Sequence, residues 1–178
     1  LMPYLVLLAL VASVWSQAPE RPLSANAPSG WIVLHILVSL ATYALATLAA
    51  VAALAAFLQE RSLKTKRPTR LTRSLPAMAE SEALTFKFLM GAEAVLGVGL
   101  ASGMALNVIE KGLWLSLDHK TLLSLLTFGV IGALLIAHHR IGMRGRLVAR
   151  LVLLAYLLLT LAYPGVKFVT DVLISRAA

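Results

Sequence analysis

Long apolar stretches separated by short runs of charge give this sequence its character. Four of them, at residues 31–58, 84–106, 119–137 and 147–168, carry few ionisable side chains. Each is close to or above the roughly 20 residues that a helix rising about 1.5 Å per residue needs to cross the hydrocarbon of a bilayer. A backbone surrounded by lipid must satisfy its own N–H and C=O groups, so such stretches predict helices. The expected fold class is all-α. It is a polytopic transmembrane helix bundle with four clear spanning helices plus a partial N-terminal one, forming a single membrane domain over residues 1–178.

The partial element is residues 1–15, apolar but too short to span. One reading is the last portion of a truncated transmembrane helix, with natural chain continuing before Leu1. The competing reading is a signal peptide with Ser16-Gln17-Ala18 as its small-residue cleavage region. The absence of a basic segment ahead of the apolar run favours the first.

Charge supplies orientation. The 59–83 connection holds Arg61, Lys64, Lys66, Arg67, Arg70 and Arg73, and the 138–150 connection holds Arg140, Arg144, Arg146 and Arg150. The 16–30 connection has only Arg21, and the 107–118 connection only Lys111. Positive loops stay inside, so 59–83 and 138–150 are expected in the cytoplasm of a bacterial inner membrane and the other two outside. The two kinds alternate as an up-and-down bundle requires. Pro19, Pro22 and Pro28 mark 18–30 as an extended external loop. Pro68 and Pro76 break the basic loop, after which Glu80 and Glu82 suit the start of the next helix. Gly99 and Gly103, four residues apart, have the small-xxx-small spacing that lets helix backbones approach closely.

Composition agrees with a lipid solvent. Apolar residues make up 60% of the chain and charged residues 13%, about half the proportion usual in soluble domains, and the mean hydropathy is +0.86. The net charge of +8 does not point to nucleic acid, because residues 59–73 lack interleaved aromatic side chains. That run fits anionic lipid or a cytoplasmic protein. There is no cysteine, which excludes disulfides and thiolate metal sites.

Candidate chemistry rests on four histidines and one buried acid. His35 lies about one turn inside the external end of the first span. His119 opens the third span directly after Asp118, and His138 and His139 close it on the cytoplasmic side. Being about 100° apart on a helix, only one of that pair can face the interior squarely. Neutral imidazole ligates haem iron, and two axial ligands of one iron lie only about 4 Å apart, given metal–nitrogen bonds near 2 Å. His35 and His138 sit at opposite faces and cannot share an iron, whereas His35 and His119 can. The alternatives are plain ones. His35 would bond a neighbouring helix, Asp118 would cap the helix that starts at His119, and His138 and His139 would complement a helix C-terminus. Glu93, deep in the second span, reads as a proton relay or as a neutral carboxyl bonded to a neighbouring helix, with the second preferred. The sequence contains no G-x-x-x-x-G-K-[ST], G-x-S-x-G or H-E-x-x-H signature.

Three segments resemble the membrane proteins of cytochrome c assembly (CcsA/CcmC type), and most of all their HemX and YpjD-like branch. They are His35-Ile-Leu-Val-Ser-Leu-Ala-Thr-Tyr43-Ala, then Leu96-Gly-Val-Gly-Leu-Ala-Ser-Gly103-Met-Ala-Leu-Asn107, and lastly Asp118-His119-Lys120 with Ala137-His138-His139-Arg140-Ile-Gly-Met-Arg-Gly145. The resemblance covers residues 31–60 and 84–150 and is weak elsewhere. It implies haem presented at the outer face beneath a tryptophan-rich loop, with His35 as the first external histidine and His138 as an intramembrane one. Asn107 and Asp118 would flank the loop. The chain departs from the pattern in two places. Residues 108–117 keep only Trp114, and Tyr163-Pro-Gly-Val-Lys167-Phe168 stands where the family has its final external histidine. Both departures suit the YpjD-like branch.

Three functions compete at this level. In the first, a protein that binds or passes haem rather than transforming it uses His35, His119, His138, Asp118 and Trp114 at the cofactor, with His35 on the iron and Lys120 or Lys167 pairing a propionate. In the second, a non-catalytic accessory subunit of a larger membrane complex has kept the bundle and lost the haem site. In the third, a transporter uses Glu93 as a proton site. None of the three requires an enzyme.

Overall fold

Alanine makes the central seam of the bundle. Helix α1 (Ser29–Thr65) buries Thr42, Ala46, Ala49, Ala53, Ala56 and Glu60, a stripe that advances by alternating steps of four and three residues. That spacing is the left-handed packing pattern of antiparallel membrane helices, and small side chains let the neighbouring backbone come close. The computed structural model describes residues 28–112 and 118–162, together with Trp114 and the isolated positions Val6, Ala9, Leu10 and Ser13. Among the described residues it is all-helical, adding α2 (Arg70–Ser74), α3 (Met78–Lys111), α4 (His119–Ile141) and α5 (Arg146–Thr160) to α1.

Contacts across each seam run in opposite chain directions, which makes the bundle up-and-down. Between α1 and α3, a Cβ on Gly91 would meet Leu45, one on Gly99 would meet Val38, and one on Gly103 would meet His35, all at 3.4–3.5 Å. The Gly99/Gly103 spacing therefore serves the close α1–α3 approach that it predicts. Between α3 and α4, Gly97 faces Phe128, Glu93 faces Gly132, and Phe86 stacks on His138. Helix α5 buries Val148, Ala149, Val152, Ala155 and Leu159 on one face. It ties to α1 where Tyr43 Oη donates to the Leu159 carbonyl (2.8 Å) and where the Thr47 and Tyr156 hydroxyls lie 3.2 Å apart. Most helical hydroxyls bond a carbonyl one turn back, Thr85 to Ser81 and Thr127 to Leu123 among them, so they need no water.

Three helical spans are long and apolar enough to cross a membrane: Ser29–Thr65, Met78–Ile109 and Lys120–Ile141. The expected fourth, 147–168, is described only through α5 and the turn that follows it to Ala162. Fifteen helical residues reach about 22 Å, short of the roughly 30 Å hydrocarbon core, and the remainder of that span lies outside the described residues. So does nearly all of the partial element at 1–15.

The expected loop at 59–83 is corrected by the structure. Helix α1 continues past Leu58 to Thr65, and α3 starts at Met78 rather than at Leu84 and runs on to Lys111. Polar side chains end the membrane-embedded part of a helix but not the helix itself. The residues after Leu58 include good helix formers, and Glu60 pairs with Lys64 one turn on. The stop comes at Lys66, which turns left-handed (φ 53°) while its N–H and that of Arg67 close onto Leu63 and Ser62 carbonyls, ahead of Pro68.

What remains between the helices is a folded knob. Thr69 and Thr72 cap each other reciprocally at the start of α2. Gln59 Nε2 lies 2.8, 3.3 and 3.1 Å from the carbonyls of Thr72, Leu75 and Pro76. One α1 side chain thus holds the far end of the knob. Replacing Gln59 with Leu is expected to release it, raising tryptic cleavage after Arg70 and Arg73 severalfold while helix content stays unchanged by circular dichroism.

Candidate functional site

His35 sits where α1 meets the small-residue segment of α3. Gly103 lets the imidazole lie against the α3 backbone, its Cε1 just 3.4 Å from where a Cβ would stand. Ser102 Oγ lies 2.9 Å from the Gly99 carbonyl oxygen. The same oxygen lies 2.6 Å from His35 Nδ1. With the Ser102 hydrogen on the Gly99 carbonyl, Nδ1 donates and Nε2 keeps its lone pair; with that hydrogen on Nδ1, the roles reverse. Trp31 Nε1 donates to the Ser102 carbonyl at 3.3 Å and fixes the segment from the next turn of α1. The first of the two tautomers, a ring held by its Nδ1–H with Nε2 presented outward, is an arrangement that metal-binding histidines use. His35 is half-buried and within reach of the bundle end.

The other expected site residues are dispersed. Asp118 occupies the N-cap position of α4, and its carbonyl accepts from Leu122 N–H at 3.0 Å. Its side chain makes no capping bond, which corrects the side-chain cap that the sequence offers as its alternative role. His119 opens α4 at the same end of the bundle as His35. Trp114 is 77% exposed. His138 is at the opposite, basic end, stacked on Phe86 with ring centroids 3.4 Å apart and with Nδ1 2.9 Å from the Met143 carbonyl. His139 is exposed, so one of the pair turns inward, as helix geometry demands. Ser102 and Phe86, the α3 partners of His35 and His138, are about 24 Å apart along the axis, too far for one iron. Among the described residues no three His, Asp or Glu side chains form a metal-binding group.

Glu93 differs from its expected environment. Its Oε2 is buried without a hydrogen-bond partner, and its Oε1 stands 3.0 Å from where a Cβ on Gly132 would be. It packs on α4 without bonding to it. The reason is that α4 offers Gly132 at that level, and the helix N–H groups are already used within the helix. A methyl at Gly132 meets only the mobile end of a side chain, so Gly132→Ala is expected to be mild. Gly132→Leu fills the seat and is expected to lower stability by about 1–3 kcal/mol, partly recovered by adding Glu93→Ala, as read from denaturation in mixed detergent micelles.

A second polar cluster, at the basic end, gave no sequence motif. Glu60 is buried on α1, with Oε1 close to Lys64 Nζ and 3.4 Å from Arg146 Nε. Glu82 Oε1 accepts from the Gly145 N–H at 3.0 Å, and Arg146 lies 6.0 Å over the Phe57 ring. Gly145 has φ 77°, and Gly142 φ 64°, conformations open to glycine that fold the short α4–α5 turn onto these carboxylates. Together they lock the ends of α1, α3 and α5.

Long apolar helices in up-and-down order, with sparse polar groups turned inward, define a multi-pass helical membrane protein. The match to the model of the cytochrome C assembly protein family extends over residues 1–174, and the chain belongs to that family. It is 62% identical over 174 residues to the uncharacterized 28.8 kDa protein of the nifR3-like 5′ region of Azospirillum brasilense, a match covering 98% of this chain and 64% of the relative. No solved structure matches.

Proposed function

We propose that this protein binds or passes haem in the bacterial inner membrane, as a HemX or YpjD-like member of its family. The observation that carries this reading is His35, held through Nδ1 by Ser102, an arrangement in which Nε2 is the nitrogen to meet iron. In the proposal His35 is the iron ligand at the outer face, and His119, at the same end of the bundle, replaces the missing external partner. Trp114 and Asp118 border the site, and Lys120 or Lys167 pairs a propionate. His138, at the far end, serves a separate station or the packing on Phe86. When bound, haem supplies an iron centre of tunable redox potential. The chain's own residues fix the imidazole tautomer and hold the ring against α3. Residues 59–83 and 138–150 face the cytoplasm in this reading, which rests on their cations and the positive-inside rule.

The deciding experiment is an absorption spectrum of the purified protein, as isolated and after adding haem. A Soret band shifted from that of free haem supports the reading. A colourless preparation that cannot be reconstituted overturns it in favour of an accessory subunit of a larger membrane complex.

A further inference from the structure

Positive charge at the basic end outruns its counter-charge. Arg61, Lys64, Lys66, Arg67, Arg70 and Arg73 are all exposed, yet of these only Lys64 meets a carboxylate, that of Glu60. Glu60 is also shared with Arg146, and Glu82 accepts from the Gly145 N–H. Among the described residues no ion pair neutralises Arg61, Lys66, Arg67, Arg70 or Arg73.

Two further observations separate this surface from an ordinary solvated loop. The first is position. Gln59 holds the Thr72 carbonyl at 2.8 Å, so α2 is folded back to the level at which the apolar stretch of α1 ends. The knob lies beside the membrane boundary instead of projecting from it. The second is composition. Leu63 is 66% exposed and Leu71 58% exposed, each within the run of cations. Leucines at a boundary, ringed by guanidinium and ammonium groups, match an interface whose apolar side is acyl chain and whose polar side is phosphate. Four of the five uncompensated cations are arginines, whose planar fork matches phosphodiester oxygens. The cap of Thr69 and Thr72 and the Gln59 bonds order the segment beforehand, lowering the entropy lost on binding.

We propose that residues 61–73 form a binding surface for the anionic phospholipid headgroups of the surrounding membrane, with Arg61, Lys66, Arg67, Arg70 and Arg73 on the phosphates and Leu63 and Leu71 at the acyl boundary. This does not depend on haem. The test is the full chain in phosphatidylcholine vesicles doped with spin-labelled phosphatidylglycerol or spin-labelled phosphatidylcholine, with the motionally restricted fraction of each label measured. The wild-type chain is expected to prefer phosphatidylglycerol by about fivefold or more, the worth of one well-engaged cation. Changing the five cations to Gln is expected to bring that preference within about twofold of unity, and Leu63→Ser with Leu71→Ser to weaken it while leaving its sign. Exchanging Arg for Lys at the same positions keeps the net charge and most of the preference. The proposal is overturned if the wild type shows no preference, or if the preference survives in the five-Gln variant. Inorganic phosphate that removes it at constant ionic strength also overturns it, by marking a free-phosphate site. Should the five-Gln variant fail to fold, salt gives the same reading on the wild type. The preference must then collapse between about 0.05 and 0.5 M, where screening shortens below the headgroup spacing; a preference indifferent to salt counts against the proposal.

Discussion

Haem added to the solubilised protein is expected to give a Soret band that His35→Ala abolishes and that Ser102→Ala weakens without abolishing. The two variants separate a ligand from the group that orients it. Loss of His35 removes the imidazole that Ser102 holds at that end of the bundle. Loss of Ser102 leaves the nitrogen in place but frees the ring to rotate and to change tautomer. Removing such an orienting partner typically costs about 10–100-fold in metal affinity, and that range is expected for haem titrated into Ser102→Ala. Ser102→Thr, which keeps the hydroxyl, is expected to recover most of the loss. If His35→Ala binds haem as tightly as the wild type, the ligand lies elsewhere, and Ser102 is no more than a hydrogen-bond partner joining α1 to α3.

The second large effect concerns the α1–α3 seam. Ala92 and Ala49 are each 0% exposed, and their methyl groups set how closely the helices pack. Ala92→Leu adds three carbons to a seam with no room for them and is expected to cost about 1–3 kcal/mol. The loss would be seen as earlier unfolding on titration with a denaturing detergent. Leucine at lipid-facing Val98, which is 56% exposed on the same helix, is expected to change little. In hydrocarbon there is no hydrophobic drive between helices, so the loss at Ala92 reports packing almost alone.

Three of the spans were readable in the sequence because lipid imposes one rule on every residue between two boundaries. The Gly99/Gly103 approach followed from helix spacing, and so did the rule that only one of His138 and His139 turns inward; spacing did not say which. The helix ends were not readable. Lipid stops at Leu58 but the helix does not, and only local caps such as Lys66 and the Thr69–Thr72 pair decide where it ends. The knob itself depends on Gln59 reaching across thirteen positions to Thr72, a long-range contact without periodicity. The same holds for His35. Its position on α1 marked it as a candidate, but its tautomer depends on Ser102, 67 residues away. The Glu60, Glu82 and Arg146 cluster was hidden for another reason: each residue looks like an ordinary charge at the edge of a span until the fold brings three helices together.

The alanine seam also bears on the order of assembly. An alanine side chain has no rotamers to lose, so the methyl-lined face of α1 receives α3, with its Gly91, Gly99 and Gly103 at the seam, at little cost in side-chain freedom. These two helices are joined by a short, ordered connection and can zip into a hairpin while the ribosome is still adding α4. The later pair then arrives on a platform already formed, and only its tyrosine and arginine tethers have to find their places.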